Sequence, residues 1–224
     1  MIVTICSGGL DSVTLVAYLA EQGHAQQLVA FDYGQRHRKE LEYASAAAQR
    51  HNYRFDVVQL ARLGPLLSGS ALTDARVAVP EGHYADESMK ATVVPNRNAI
   101  MLSIATGLAV ARGAQGVAIG VHAGDHPVYP DCRPEFVDAL DAAMRLGTAG
   151  FHIKEWTGLL APFVTSSKAD IVCIGAELSV PFEQTWSCYN GAELHCGRCG
   201  TCVERREAFE LAGVVDPTIY RRAA

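Results

Sequence analysis

The stretch Ile2-Val3-Thr4-Ile5-Cys6-Ser7-Gly8-Gly9-Leu10-Asp11-Ser12 decides the fold. Ile2 to Cys6 is a short apolar run of buried-strand type, and Asp11 to Glu21 is an amphipathic helical pattern that ends before Gly23. Ser7-Gly8-Gly9 lies between them. Paired glycines let the backbone turn sharply and approach a ligand closely. The helix that follows offers unpaired N–H groups and the positive end of its dipole, which together attract phosphate. Ser7 and Ser12 can add hydroxyl hydrogen bonds. Asp11 would repel a bare phosphate, so its expected partner is Mg²⁺ or the helix N–H groups. No Lys follows the second glycine, so this is not a Walker A loop. An ordinary Gly turn capped by Ser or Asp is the plainer alternative.

Outward from this point the pattern repeats. Gln27 to Phe31 and Phe55 to Leu60 read as strands, with a helix from about Arg36 to His51 between them. After a Gly- and Pro-containing loop from Leu63 to Val94, Asn98 to Arg112 reads as a helix and Val117 to Val121 as a strand. Pro134 to Leu146 is a further helix, with Pro134 suited to a first turn and Gly147 to a stop. Another helix runs from Lys168 to Glu177. Alternation at this spacing predicts right-handed βαβ units and a doubly wound parallel α/β sheet covered on both faces. The expected division is an α/β nucleotide-binding domain over 1–180 and a small Cys-rich helical module over 181–224 packed on it.

Hydrophobic residues make up 49% of the 224 positions and charged ones 19%, which supports a packed core. With 19 basic against 24 acidic residues the net charge is −5, which argues against a binder that holds nucleic acid on a broad basic surface. No apolar stretch approaches the roughly 20 residues of a membrane span, and no secretory signal pattern is present, so a cytoplasmic protein is expected.

Four of the seven cysteines, Cys188, Cys196, Cys199 and Cys202, form C-x7-C-x2-C-x2-C. In a reducing compartment such a cluster favours metal over disulfide. Four thiolates close a tetrahedral shell, so one structural Zn²⁺ per chain is expected. An iron–sulfur cluster is the competitor, but the ferredoxin run continues with a Cys-Pro pair where this chain has Arg206-Glu207. Cys6, Cys132 and Cys173 read as small apolar residues.

The pattern Ser-Gly-Gly-x-Asp-Ser resembles the pyrophosphate loop of N-type ATP pyrophosphatases. Further stretches extend the likeness: Phe31-Asp32-Tyr33-Gly34-Gln35-Arg36-His37-Arg38, Val94-Pro95-Asn96-Arg97-Asn98, Tyr129-Pro130-Asp131-Cys132-Arg133-Pro134-Glu135-Phe136 and Cys188-Tyr189-Asn190-Gly191. Together, in this order, they resemble the 7-cyano-7-deazaguanine synthase family over nearly the whole chain. One departure is His122-Ala123-Gly124-Asp125-His126, where the family commonly carries Cys-Glu-Thr-Asp; Asp125 keeps one carboxylate and Ala123 replaces the other.

The resemblance implies an adenine-nucleotide α-hydrolase-like fold with ATP and Mg²⁺ as cofactors. It also implies an ATP-dependent carbon–nitrogen ligase that makes 7-cyano-7-deazaguanine (preQ0) from 7-carboxy-7-deazaguanine and ammonia, within queuosine or other 7-deazapurine biosynthesis. Carried over to this sequence, Cys6, Ser7, Gly8, Gly9, Leu10, Asp11 and Ser12 would hold the nucleotide. Asp11, Arg97 and Lys168 would do the catalytic work. Tyr33, Gln35, Arg36, Asp125, Tyr129, Asp131 and Arg133 would bind the heterocycle. Arg97 and Lys168 also read as ordinary surface residues at helix starts. Small molecules are the expected partners, with no nucleic acid or membrane, and a homodimer is the family-based guess. The rivals are a pyrophosphate-loop tRNA thiolase or lysidine-type enzyme, and a zinc-stabilised interaction module without catalysis.

Overall fold

Strands β1 (Ile2–Ile5) and β2 (Gln26–Asp32) are buried along their whole length, as the central strands of a parallel sheet covered on both faces must be. The computed structural model describes residues 1–67, 69–84, 87–149 and 156–221. The last three positions of the expected 181–224 module lie outside the described residues. The sheet has the order β3-β2-β1-β4-β5, all neighbours parallel, with β3 at Arg54–Gln59, β4 at Gly116–Ala118 and β5 at Gly158–Leu160. This is the doubly wound α/β arrangement expected from the alternation.

Side chains of successive strand residues point to opposite faces, and two cores follow. Ile2, Leu28, Ala30 and Ala118 pack with Leu15 of α1 (Leu10–Glu21), Ala47 of α2 (Lys39–Arg50), Val172 of α5 (Lys168–Glu177) and Phe209 of α6 (Gly200–Ala212). Val3, Val29, Phe31 and Val117 pack on the other face with Leu102 of α3 (Arg97–Ala111) and Val137 of α4 (Pro134–Gly147). Each fully buried aliphatic side chain contributes about 1.5–3 kcal/mol. No helix among the described residues is long and apolar enough to cross a membrane.

Some boundaries differ from the sequence reading. α2 starts at Lys39 rather than Arg36, because the preceding chain is held elsewhere: the Arg36 N–H donates to Leu72 O at 2.8 Å. β4 is short. Beyond it the chain passes close to the glycine turn at Gly120, where a Cβ would lie 3.3 Å from the backbone of Asp11. Gly147 is the last residue of α4 and Thr148 its cap.

The sheet sets the place of the site. The chain leaves β1 toward β3 on one side and returns to β4 on the other, so the C-terminal ends of β1 and β4 diverge into a crevice, where open α/β sheets bind ligands. The C-terminal segment closes that crevice from above. Buried Arg205 of α6 donates to Thr185 Oγ1 (2.8 Å), Phe182 O (2.9 Å) and Ser187 Oγ (3.2 Å) and pairs with Asp216 (3.3 Å). The Trp186 N–H in turn donates to Gly8 O at 2.9 Å, which ties the Cys-rich segment to the glycine turn.

Candidate active site

The glycine turn is held from beneath as well as from above. Gly8 has φ +83°, and a Cβ there would sit 2.1 Å from Glu40 O and 2.7 Å from Ala44 N of α2. Only glycine fits. Ser12 Oγ donates to Gly9 O (3.1 Å), and Ser7 Oγ and Ser12 Oγ are 3.2 Å apart. No side chain caps α1 at Gly9, so its first N–H groups remain available to an anion. Gly8→Ala is expected to lose ATP binding by calorimetry and to lower the melting temperature by at least about 3 °C, since positive φ alone costs an L-residue about 1–2 kcal/mol. Unchanged ATP affinity would contradict this role of the turn.

Behind the loop lies a cluster of buried charge. Lys168 Nζ sits 3.0 Å from Asp11 Oδ2, 2.8 Å from Glu204 Oε2 and 3.3 Å from His122 Nε2, with its side chain only 12% exposed. Lys168 is therefore no surface lysine. His122 is buried, and its Nδ1 accepts the Gly124 N–H (3.1 Å). Its Nε2 faces Asp125 Oδ1 (3.6 Å), Asp11 Oδ2 (3.9 Å) and Glu204 Oε1 (3.9 Å). Burial alone would raise the Asp11 carboxyl, but Lys168 and His122 more than offset it and hold Asp11 below the ordinary carboxylate range. Burial likewise works against charge on Lys168, yet Asp11, Glu204 and Asp125 keep its ammonium protonated well above the usual lysine range. Glu204 is pushed up by burial, with Lys168 and His122 pulling against that. Asp11 Oδ2 pairs with Lys168, and among the described residues its buried Oδ1 meets no hydrogen-bond partner.

Arg97, at the first turn of α3, projects into the opposite wall. Its guanidinium lies 6.0 Å from the Tyr33 ring centroid, and no carboxylate among the described residues forms an ion pair with it. Around it stand phenols. Tyr129 Oη is 2.5 Å from Thr92 Oγ1 and 3.2 Å from Tyr189 Oη, and Tyr84 Oη donates to Asp125 Oδ1 at 3.1 Å. Burial pushes Tyr33 up to about 12 and Tyr84 and Tyr189 well above the normal range, so they stay protonated donors at neutral pH. Burial also raises the Cys132 thiol, which argues against a nucleophilic role.

One cleft gathers Cys6, Ser7, Gly9, Leu10, Asp11 and Ser12 with Tyr33, Gln35, Arg36, Arg97, Asp125, Tyr129 and Lys168. The glycine turn and Arg97 thus open into one and the same cleft.

Other expected residues stand apart. Gly8 shapes the turn without lining the cleft. Asp131 accepts the Asn98 N–H at 2.9 Å and so caps the start of α3 beside Arg97. Arg133 is exposed and donates to His126 O at 3.0 Å. Arg36 reaches the cleft edge, but its guanidinium donates to the carbonyls of Asp74 (3.1 Å) and Val77 (2.6 Å). The sequence reading passed over Glu40, Tyr84 and Glu204. Tyr189 had a signal in its place within the Cys188-Tyr189-Asn190-Gly191 stretch; Glu204 had none, since a carboxylate on a Cys-rich helix reads as a solvated face.

The four cysteines converge, their Sγ atoms all lying within 4.8 Å of one another, with Cys196 Sγ and Cys202 Sγ 3.9 Å apart. A tetrahedron with Zn–S bonds of about 2.3 Å has edges of about 3.8 Å, so the set could hold such an ion. Trp186 packs over this centre with Tyr43, His195 and Lys39 around it.

A solved structure of NMN synthetase from Francisella tularensis shares the fold, with TM-score 0.52 at 12% identity over 96% of this chain and 77% of that one. Among curated relatives, a 7-cyano-7-deazaguanine synthase from Rhizobium rhizogenes is 58% identical, covering 97% of this chain and 91% of its own length. One from Brucella ovis is 56% identical, covering 98% and 93%. The sequence profile of queuosine biosynthesis protein QueC matches residues 1–213. By that match and by relatives this similar along nearly their full length, the chain belongs to the QueC family of queuosine biosynthesis proteins.

Proposed function

We propose that this chain is an ATP-dependent ligase that converts 7-carboxy-7-deazaguanine and ammonia to 7-cyano-7-deazaguanine. The observation that carries the reading is one cleft with an uncapped glycine turn and Lys168 on one wall and, on the other, Arg97, a cation with no carboxylate ion-paired to it among the described residues. A carboxylate is a poor electrophile because its charge repels nucleophiles. Its oxygen attacks the α-phosphorus of ATP, pyrophosphate leaves, and the acyl-adenylate forms. Ammonia then attacks the carbonyl carbon, loses a proton and displaces AMP to give the amide. Activation of the amide oxygen by a second ATP lets loss of AMP and of the remaining nitrogen protons form the nitrile.

The protein's part in this is positioning and charge neutralisation. The α1 N–H groups and Ser7 hold the leaving phosphates, Lys168 meets charge growing on them, and Arg97 draws the substrate carboxylate toward phosphorus. Tyr129 and Tyr189 wall the heterocycle. Asp11, with its orphaned Oδ1, and Asp125 are carboxylates suited to a hard cation such as Mg²⁺, which would supply charge neutralisation to the triphosphate. Cys188, Cys196, Cys199 and Cys202 would hold zinc in a closed shell with a structural role. Such thiolates persist in a reducing compartment, which supports a cytoplasmic setting. A tRNA-modifying role is disfavoured because the similar curated relatives bear the synthase name.

The test is incubation of pure protein with ATP, Mg²⁺, ammonium and the 7-carboxy base, with mass detection of the nitrile and of AMP. Nitrile formation is the expected result; ATP bound but never consumed in the presence of acid and ammonia would sink the reading.

A further inference from the structure

Gln35, one of the expected substrate contacts, is hydrogen-bonded at both ends of its amide. Its Oε1 accepts the Tyr33 N–H (2.9 Å), while its Nε2 donates to Phe31 O (3.1 Å) and to Glu40 Oε1 (3.0 Å). These partners fix which end of the amide is oxygen. Beside Gln35 in the cleft stands Glu40, held by one oxygen at the first turn of α2. Among the described residues no donor bonds the other oxygen, Oε2, and no ion pair joins Glu40 to a cation. Glu40 lines the cleft beside Phe31, Tyr33, Leu41 and Leu72, and its own backbone is locked under Gly8.

Resting on the function proposed above, we infer that Glu40 is a specificity-determining residue whose carboxylate reads the N1–H and 2-amino edge of the guanine-like base, with Gln35 as its positioning residue. A carboxylate has two parallel acceptor oxygens and so matches two adjacent N–H donors on a flat ring. The guanine edge supplies that pair. The adenine edge sets a ring acceptor beside its single amino group, and a phosphate would be repelled. A ribose diol is the other donor pair in the reaction mixture, and the experiment separates it. The environment agrees with an acid awaiting donors: burial pushes the Glu40 carboxyl up to about 7, against the opposing pull of Gln35 and Arg97. Donors from a bound ring would stabilise its ionised form and release a proton on binding near neutral pH.

The experiment compares 7-carboxy-7-deazaguanine with its analogue lacking the 2-amino group, in the wild type and in Glu40→Gln. Both turnover and calorimetric binding with a non-hydrolysable ATP analogue present are read. The wild type is expected to prefer the amino compound by about 10- to 100-fold, the usual worth of a hydrogen bond to a charged group. In Glu40→Gln the amide offers one acceptor and one donor, so affinity for the amino compound falls by that factor, affinity for the analogue, which keeps only the N1–H, falls less, and the preference collapses. Glu40→Asp, which keeps the charge but draws it back, should retain part of the preference. ATP affinity stays within about threefold in each variant. An undiminished preference in Glu40→Gln overturns the proposal, and so does a loss confined to ATP affinity, which would assign Glu40 to the ribose. A wild type that binds the acid selectively but makes no nitrile would defeat the reaction reading and leave this assignment standing.

Discussion

Cys199→Ser is expected to destroy ATP binding and nitrile formation together, with loss of bound zinc and collapse of the segment from Phe182 to the last described residue. The expected size follows from what the segment lacks. Apart from Phe182 and Phe209, its buried side chains are chiefly the cysteines themselves, Trp186 and polar groups such as Arg205, His195 and Thr201. A structural zinc contributes apparent stability of about 10–16 kcal/mol, comparable with the roughly 5–15 kcal/mol holding a whole domain. Without the ion, four thiols within 4.8 Å of one another have no reason to converge. The loss does not stay local, because Trp186 bonds Gly8 and Glu204 bonds Lys168. Metal analysis, tryptophan fluorescence (Trp186 lies tilted against Tyr43 and His195) and calorimetry with ATP provide the readings. A folded, zinc-loaded and active Cys199→Ser protein would refute the structural-metal assignment; iron in place of zinc in the wild type would correct the ion.

The sheet and the glycine turn were legible because local pattern and tertiary demand coincide there. β1 and β2 are buried on both faces, so their apolar runs have few other readings, and Gly8 meets a backbone it could not approach with any side chain. β5 escaped notice for the opposite reason. Gly158-Leu159-Leu160 is three residues long, too short for periodicity, and becomes a strand only through pairing with Gly116–Ala118. The start of α2 was misplaced because Arg36 and His37 suit a helix locally while long-range bonds to the 70s loop hold Arg36 outside it. Within the site, residues announced by glycine or cysteine spacing were found. Glu40 and Glu204 were not, since a buried acid is recognised by its partners, and those come from distant segments.

Lys168→Met is expected to lower kcat by about 10³-fold, with nucleotide binding weakened far less, because a preorganised cation serves charge that grows only as the pyrophosphate departs. The variant also leaves Asp11, Asp125 and Glu204 crowded around His122 without their cation, and breaking a buried pair this way costs about 3–5 kcal/mol. A fall in activity could therefore come from unfolding alone. Adding Glu204→Gln separates the two causes. With one carboxylate neutralised the like-charge crowding drops, so the double variant should regain much of the lost melting temperature. Its turnover should stay as low as that of Lys168→Met, since nothing replaces the ammonium beside the loop. Activity that returns with stability in the double variant would show that Lys168 only neutralises Asp11 and Glu204 and takes no part in phosphoryl chemistry.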